Sequence, residues 1–262
     1  MALRLGLLLF ASTLSTLFWQ QCLLSDDAVA EVVSQDLRAG GNEHERYFLI
    51  GPPQGTPAPD QGLGLVVVLP GGDGSADFHP FIERVYQLAV PRDYLLAQLV
   101  SVRWDDGQEI VWPTDKLRTA GMKFTTEDFI DTVIKDVAGR HKLDPERVFT
   151  LSWSSSGPAA YAASLTSSKI TGSLVAMSVF KPDLLPPLDQ AKGHAYFIYH
   201  SPQDQVCPFA MAEQAAKQLQ DHGARVKLAT CTGGHGWRGA VFNDIRAGLA
   251  WLEQNHAARE KP

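Results

Sequence analysis

Apolar positions in this chain fall into short continuous runs, and between them lie stretches with apolar residues at helical spacing. Residues 65–69 read Leu-Val-Val-Val-Leu, with no polar side chain on either face, which is the pattern of a strand buried on both sides of a parallel sheet. Further strands are expected at 46–50, 98–103, 147–151, 173–179, 195–200 and 225–230. Helices are expected at 81–89, 125–141 (capped by Thr125 or Thr126), 159–167, 209–222 and 241–256. The stretch 51–64 is rich in Pro and Gly and reads as a loop, and 31–45 is polar and reads as irregular and mobile. Strands alternating with helices predict an α/β fold: a mostly parallel central sheet flanked by helices on both faces. Loops at the carboxyl ends of such strands are where chemistry is expected.

The start of the chain breaks this rhythm. Residues 1–19 carry one cation, Arg4, and a Leu-rich run that stays uncharged until Asp26. That is the layout of a secretory signal, with Ala28-Val29-Ala30 as a cleavage site. Residues 1–30 are therefore read as a signal peptide, 31–262 as a single domain, and the protein as secreted or periplasmic. An uncleaved N-terminal anchor is the alternative, and the only way a membrane enters. Gln21 stands before Cys22 where a lipoprotein signal needs a small residue.

Composition narrows the partners. With 45% hydrophobic and 20% charged residues, the 262-residue chain can bury one substantial core. A net charge of −6 with no Lys/Arg stripe argues against a nucleic-acid partner. After signal removal Cys207 and Cys231 remain, and an exported compartment permits a disulfide between them.

The candidate chemistry starts at Val148-Phe-Thr-Leu-Ser-Trp-Ser-Ser-Ser-Gly157, where a buried strand runs into a helix. A nucleophile on a tight strand-to-helix turn needs small residues two before and two after it. Ser154 has Ser152 and Ser156 there, whereas Ser155 would have Trp153 upstream, so Ser154 is the better nucleophile. Three other segments supply partners. Leu69-Pro-Gly-Gly-Asp-Gly74 is a turn whose Gly72 and Asp73 N–H groups, with that of Ser155, are suited to hold an oxyanion. Asp204 follows the expected strand at 195–200 and can orient a histidine; Asp183 is the alternative acid. Among eight histidines, His235 sits in the glycine-flanked loop Thr232-Gly-Gly-His-Gly-Trp237, after the last strand. Imidazole can take a proton from serine and return it near neutral pH.

These four segments, spanning roughly residues 46–254, resemble compact secreted α/β-hydrolases related to polyhydroxybutyrate depolymerases, feruloyl esterases and dienelactone-hydrolase-like enzymes. The resemblance implies the α/β-hydrolase fold and a serine ester hydrolase with a Ser154, Asp204 and His235 triad, acting on a small-molecule or polymer-derived ester. Ser152 and Ser156 depart from the family's Gly-x-Ser-x-Gly. Such chemistry requires no cofactor and no metal, and the sequence shows no His/Cys/Asp cluster at ligand spacing. Trp104 and Trp237 are the expected substrate-facing aromatics, with the acidic stretch 104–109 read either as polar contacts to a sugar or phenolic alcohol or as a plain surface loop. The roughly fifteen residues between the strands near 179 and 195 are too few for a large lid. Two readings of the same fold stay open beside the esterase: a binding protein whose triad has decayed, motivated by the two serines at glycine positions, and a serine peptidase.

Overall fold

The computed structural model describes residues 32–53 and 55–256, so the signal or anchor read at 1–30 lies outside the described residues. One eight-stranded sheet runs through the described part in the order β1-β2-β4-β3-β5-β6-β7-β8. Its strands are β1 (Val33–Arg38), β2 (Arg46–Gly51), β3 (Leu63–Leu69), β4 (Tyr94–Leu99), β5 (Leu143–Trp153), β6 (Gly172–Ala176), β7 (Ala195–His200) and β8 (Arg225–Thr230). All neighbours from β4 through β8 pair in parallel, and β2 runs antiparallel to both β1 and β4.

Helices α1 (His79–Ala89), α2 (Thr126–Arg140), α3 (Gly157–Thr166), α4 (Phe209–Asp221) and α5 (Val241–Asn255) cover the sheet. Alternation along β3 shows why both faces are dry. Val66 and Val68 pack with Ile82 and Val85 of α1 and Ile245 and Leu249 of α5, while Leu65, Val67 and Leu69 pack with Phe129 and Val133 of α2 and Ala159 of α3. A central strand buried on both sides must be apolar at every position, and each residue of β3 is buried. Thr125 caps α2: its hydroxyl accepts from Asp128 N at 3.0 Å, and its own N–H donates to Asp128 Oδ2 at 3.1 Å.

Two expectations need correction. The polar start holds a strand, β1, which is an edge strand paired to β2 along its length and tied to it by Arg46, whose guanidinium donates to both carboxylate oxygens of Asp36. Its side chains face water, so no apolar alternation marks it. The strand read at 98–103 lies instead at 94–99, because a strand held between β3 and β2 takes the fully apolar stretch Tyr94-Leu-Leu-Ala97, and residues 100–103 leave the sheet. Among the described residues no helix is long and apolar enough to cross a membrane.

Candidate active site

β5 carries its last residue, Trp153, to the carboxyl edge of the sheet, and the chain then turns sharply into α3. Ser154 sits on that turn with φ +56°, in the left-handed region that L-residues rarely occupy. Such strain persists only where the surroundings enforce it, and here they do. Ser152, wholly buried between Leu69 of β3 and Val175 of β6, donates to Leu174 O at 3.4 Å. Ser156, also wholly buried, donates to Leu69 O at 2.6 Å and accepts from Trp153 N at 3.1 Å. The two serines that stand where the resembling family has glycine are thus small enough to fit and have their hydroxyls satisfied by neighbouring backbone.

Gly157 allows the closest approach in the turn. A Cβ there would lie 2.0 Å from Ser178 Oγ and 2.4 Å from its Cβ, and Ser178 Oγ donates to Ser154 O at 2.5 Å. Gly157→Ala is expected to destabilise the protein by about 1–3 kcal/mol through overpacking. Adding Ser178→Gly to that variant restores most of the loss; thermal unfolding of the single and double variants checks this, and an unchanged Tm for Gly157→Ala would show the contact to be soft.

The Gly-rich turn after β3 is clamped onto this elbow. Ser155 Oγ donates to Gly72 O at 2.8 Å, Trp112 Nε1 donates to Pro70 O at 2.9 Å, and Ser101 Oγ donates to Asp73 O at 2.6 Å. Gly71 lies so close that a Cβ would come within 2.5 Å of Trp153 O. Gly72, Asp73 and Ser155 are therefore gathered beside Ser154. The Asp73 carboxylate turns back to accept from Ser75 N at 3.0 Å, and that bond holds its pKa below the ordinary carboxylate range.

The loops after β7 and β8 meet the elbow from the other side. His235 Nε2 lies 2.9 Å from Ser154 Oγ, and its Nδ1 lies 2.8 Å from Asp204 Oδ2. The other Asp204 oxygen accepts from Val206 N and Cys207 N, both at 2.8 Å. Burial pushes the Asp204 pKa up, but the Cys207 amide, His235 and the Val206 amide outweigh it and hold the group below its usual value. Ser201 Oγ accepts from both Gln203 N and Gly234 N at 3.2 Å, and Cys231 N donates to His200 O at 3.1 Å, so the acid loop and the histidine loop are laced together. Asp183, the alternative acid, lies in the short turn Pro182–Leu184, and the carboxylate at His235 is that of Asp204.

No protein-family model matches this chain, and no curated protein does. Solved structures do match its fold. An esterase from Pseudomonas putida aligns with TM-score 0.63 at 13% identity, covering 88% of this chain and 85% of its own. A fungal esterase from Rhizomucor miehei gives TM-score 0.64 at 13% identity over 86% and 84%. A thermophilic carboxylesterase from a metagenomic library gives 0.62 at 15% identity over 87% and 90%. The fold is that of the α/β-hydrolases.

Around Ser154, Asp204 and His235 the structure separates the two aromatic candidates. Trp237 stacks on Tyr199 with ring centroids 5.7 Å apart and meets Trp153, the residue before Ser154, edge-on at 6.0 Å. It also lines an open cleft of about 360 Å³ between the first turns of α1 and α5, together with Phe81, Arg84, Val241, Phe242 and Asn243. Trp104 does not line that cleft. Its ring packs against Phe124 at 4.9 Å and His44 at 5.5 Å. Gln108 closes the acidic loop on itself, accepting from Trp104 N at 2.8 Å and donating to Ile110 O at 2.7 Å.

Cys207 and Cys231 are both free, so the bridge considered from the sequence is absent from the fold. Burial, with help from the Asp204 charge, pushes the Cys207 thiol up to about 11. Three buttresses of the elbow carry no local signal in the sequence: Ser178, and Phe78 and Phe81, which meet the Trp153 ring edge-on at 5.7 and 6.0 Å; nor does a cluster in which donor atoms of Asp204, Cys207 and His235 all lie within 4.8 Å of one another.

Proposed function

We propose that this chain is a serine ester hydrolase acting on a carboxylic ester by two-step acyl transfer. The observation that carries the reading is the continuous chain Ser154 Oγ to His235 Nε2 at 2.9 Å and His235 Nδ1 to Asp204 Oδ2 at 2.8 Å, built on a strained elbow. Ser154 Oγ bonds to the ester carbon while its proton passes to His235 Nε2 and the carbonyl electron pair moves onto oxygen. N–H groups of Ser155 and of Gly72 or Asp73 receive that oxyanion. Collapse expels the alcohol, which takes the proton from Nε2; water then repeats the sequence and releases the acid.

The aromatic cleft beside Trp153 favours esters with a flat or phenolic group over long aliphatic chains, and a secretory signal at 1–30 would support a reaction outside the cytoplasm. Trp237→Leu is expected to raise KM for aryl or feruloyl esters roughly tenfold, the scale of one lost aromatic contact, with a smaller effect on acetate esters of simple alcohols. Equal effects on both substrate sets would remove the cleft from the substrate path.

Labelling with a fluorophosphonate, beside a screen of short-acyl, feruloyl and acetylated-sugar esters, tests the whole reading. A single label at Ser154 with turnover of at least one ester set is expected. A folded protein that neither labels nor turns over would instead be a binding protein with a decayed triad.

A further inference from the structure

We propose that Asp204, Cys207 and His235 form a binding site for a thiophilic divalent cation, zinc above all, and that its occupation switches the triad off. One donor atom from each of the three lies within 4.8 Å of the others, a set assembled from two loops that the chain places apart. Tetrahedral zinc with bonds of about 2.0–2.3 Å needs donors roughly 3.3–3.8 Å apart, so closing the set requires shifts of about 1 Å. Thiolate with imidazole selects zinc, cadmium or cobalt over magnesium and calcium, and the single carboxylate adds the third ligand. A tetrahedral ion would complete its shell with a water molecule.

The position of the site explains the switch. Asp204 faces Nδ1 of His235, so the cation takes the Nδ1 lone pair and the ring proton must sit on Nε2. Nε2–H then points at Ser154 Oγ, and no base remains to accept the serine proton. The balance is simple: the Cys207 thiol gives one proton to solvent as the sulfur–metal bond forms, the imidazole keeps its proton on the other nitrogen, and nothing is oxidised. Access runs along His235, whose side chain is 23% exposed while those of Asp204 and Cys207 are buried behind it. Metal binding stands independently of the hydrolase reading, while the loss of activity rests on it.

Cobalt titration of the reduced full-length protein tests the site without reference to activity. Thiolate-to-cobalt charge-transfer absorption in the near ultraviolet should saturate at one ion per chain, vanish in Cys207→Ser and persist in Cys231→Ser. Zinc at micromolar concentration should slow fluorophosphonate labelling at least tenfold in the wild type and in Cys231→Ser, each compared with its own metal-free rate, and a chelator should restore it. Cys207→Ser should keep less than a third of that zinc effect. Absence of the cobalt band in the wild type, its persistence in Cys207→Ser, or equal zinc sensitivity of Cys207→Ser and wild type would each overturn the proposal. Should Cys207→Ser fail to fold, the wild-type band and its loss in His235→Ala decide the matter.

Discussion

Ser154→Ala is expected to lower kcat for a short-chain aryl ester by roughly six powers of ten, with no fluorophosphonate label, while Ser155→Ala stays within about tenfold of wild type. The difference follows from what each hydroxyl touches. Ser154 Oγ faces His235 Nε2 from a backbone at φ +56°, a conformation that thrusts the side chain out of the turn. Ser155 Oγ donates to Gly72 O, and its removal costs one ordinary hydrogen bond, about 1 kcal/mol, while its backbone N–H survives. Steady-state kinetics on both variants decide the point, and a dead Ser155→Ala beside an active Ser154→Ala would reverse the assignment.

Asp204→Asn is expected to lower kcat by roughly four powers of ten, because an amide NH₂ at Oδ2 turns Nδ1 of His235 into an acceptor and leaves Nε2 protonated. The effect on stability is far smaller and depends on pH in a definite direction. Asp204 has a folded pKa below its ordinary value, so its charged form contributes stability above the ordinary carboxylate range, and that contribution is lost as pH falls through the folded pKa. The variant should therefore melt a few degrees below wild type near pH 7 and converge on it in acid, the scale expected of about 1 kcal/mol in a chain of this size. Near-wild-type turnover in Asp204→Asn, with Asp183→Asn inactive, would move the acid to Asp183.

How much of the fold is legible depends on where each strand lies. Strands β7 and β8 are found at the expected bounds, 195–200 and 225–230: β7 lies inside the sheet and is buried throughout, while β8, at its edge, still carries the alternation of Val226 and Leu228, which pack toward α4. β1 escapes because it is held by backbone pairing and the Asp36–Arg46 ion pair, neither of which leaves a hydrophobic trace. β4 lies four residues earlier than expected because pairing with β3 on one side and β2 on the other selects the stretch 94–99, buried at every position, and that pairing is not written in the run itself; Gln98 within it is kept dry by its contact with His79 Nδ1 at 2.9 Å.

The site divides in the same way. Residue type and strand-end position mark Ser154, Asp204 and His235, because a turn that carries chemistry needs small residues and Gly beside it, and those are local demands. Distances between them are another matter: Ser154 and His235 are 81 positions apart, and their 2.9 Å contact depends on the order in which β5, β7 and β8 lie in the sheet. Trp104 and Trp237 look alike as loop tryptophans, and only the path of each loop sends one into the aromatic cleft and the other against Phe124. Cys207 likewise gains its neighbours His235 and Asp204 from the convergence of two loops.

Local burial demands thus settle from the sequence alone that strands and helices alternate and that the sheet is mostly parallel, and they put the candidate site at its carboxyl edge. Through-space facts belong to the tertiary structure: which carboxylate meets the imidazole, how Ser152 and Ser156 satisfy their hydroxyls, and that the two thiols stay free. The physical reason is that periodicity reports only whether a side chain leaves water, whereas a hydrogen bond or a metal-ligand set is fixed by register and loop path to within about an ångström.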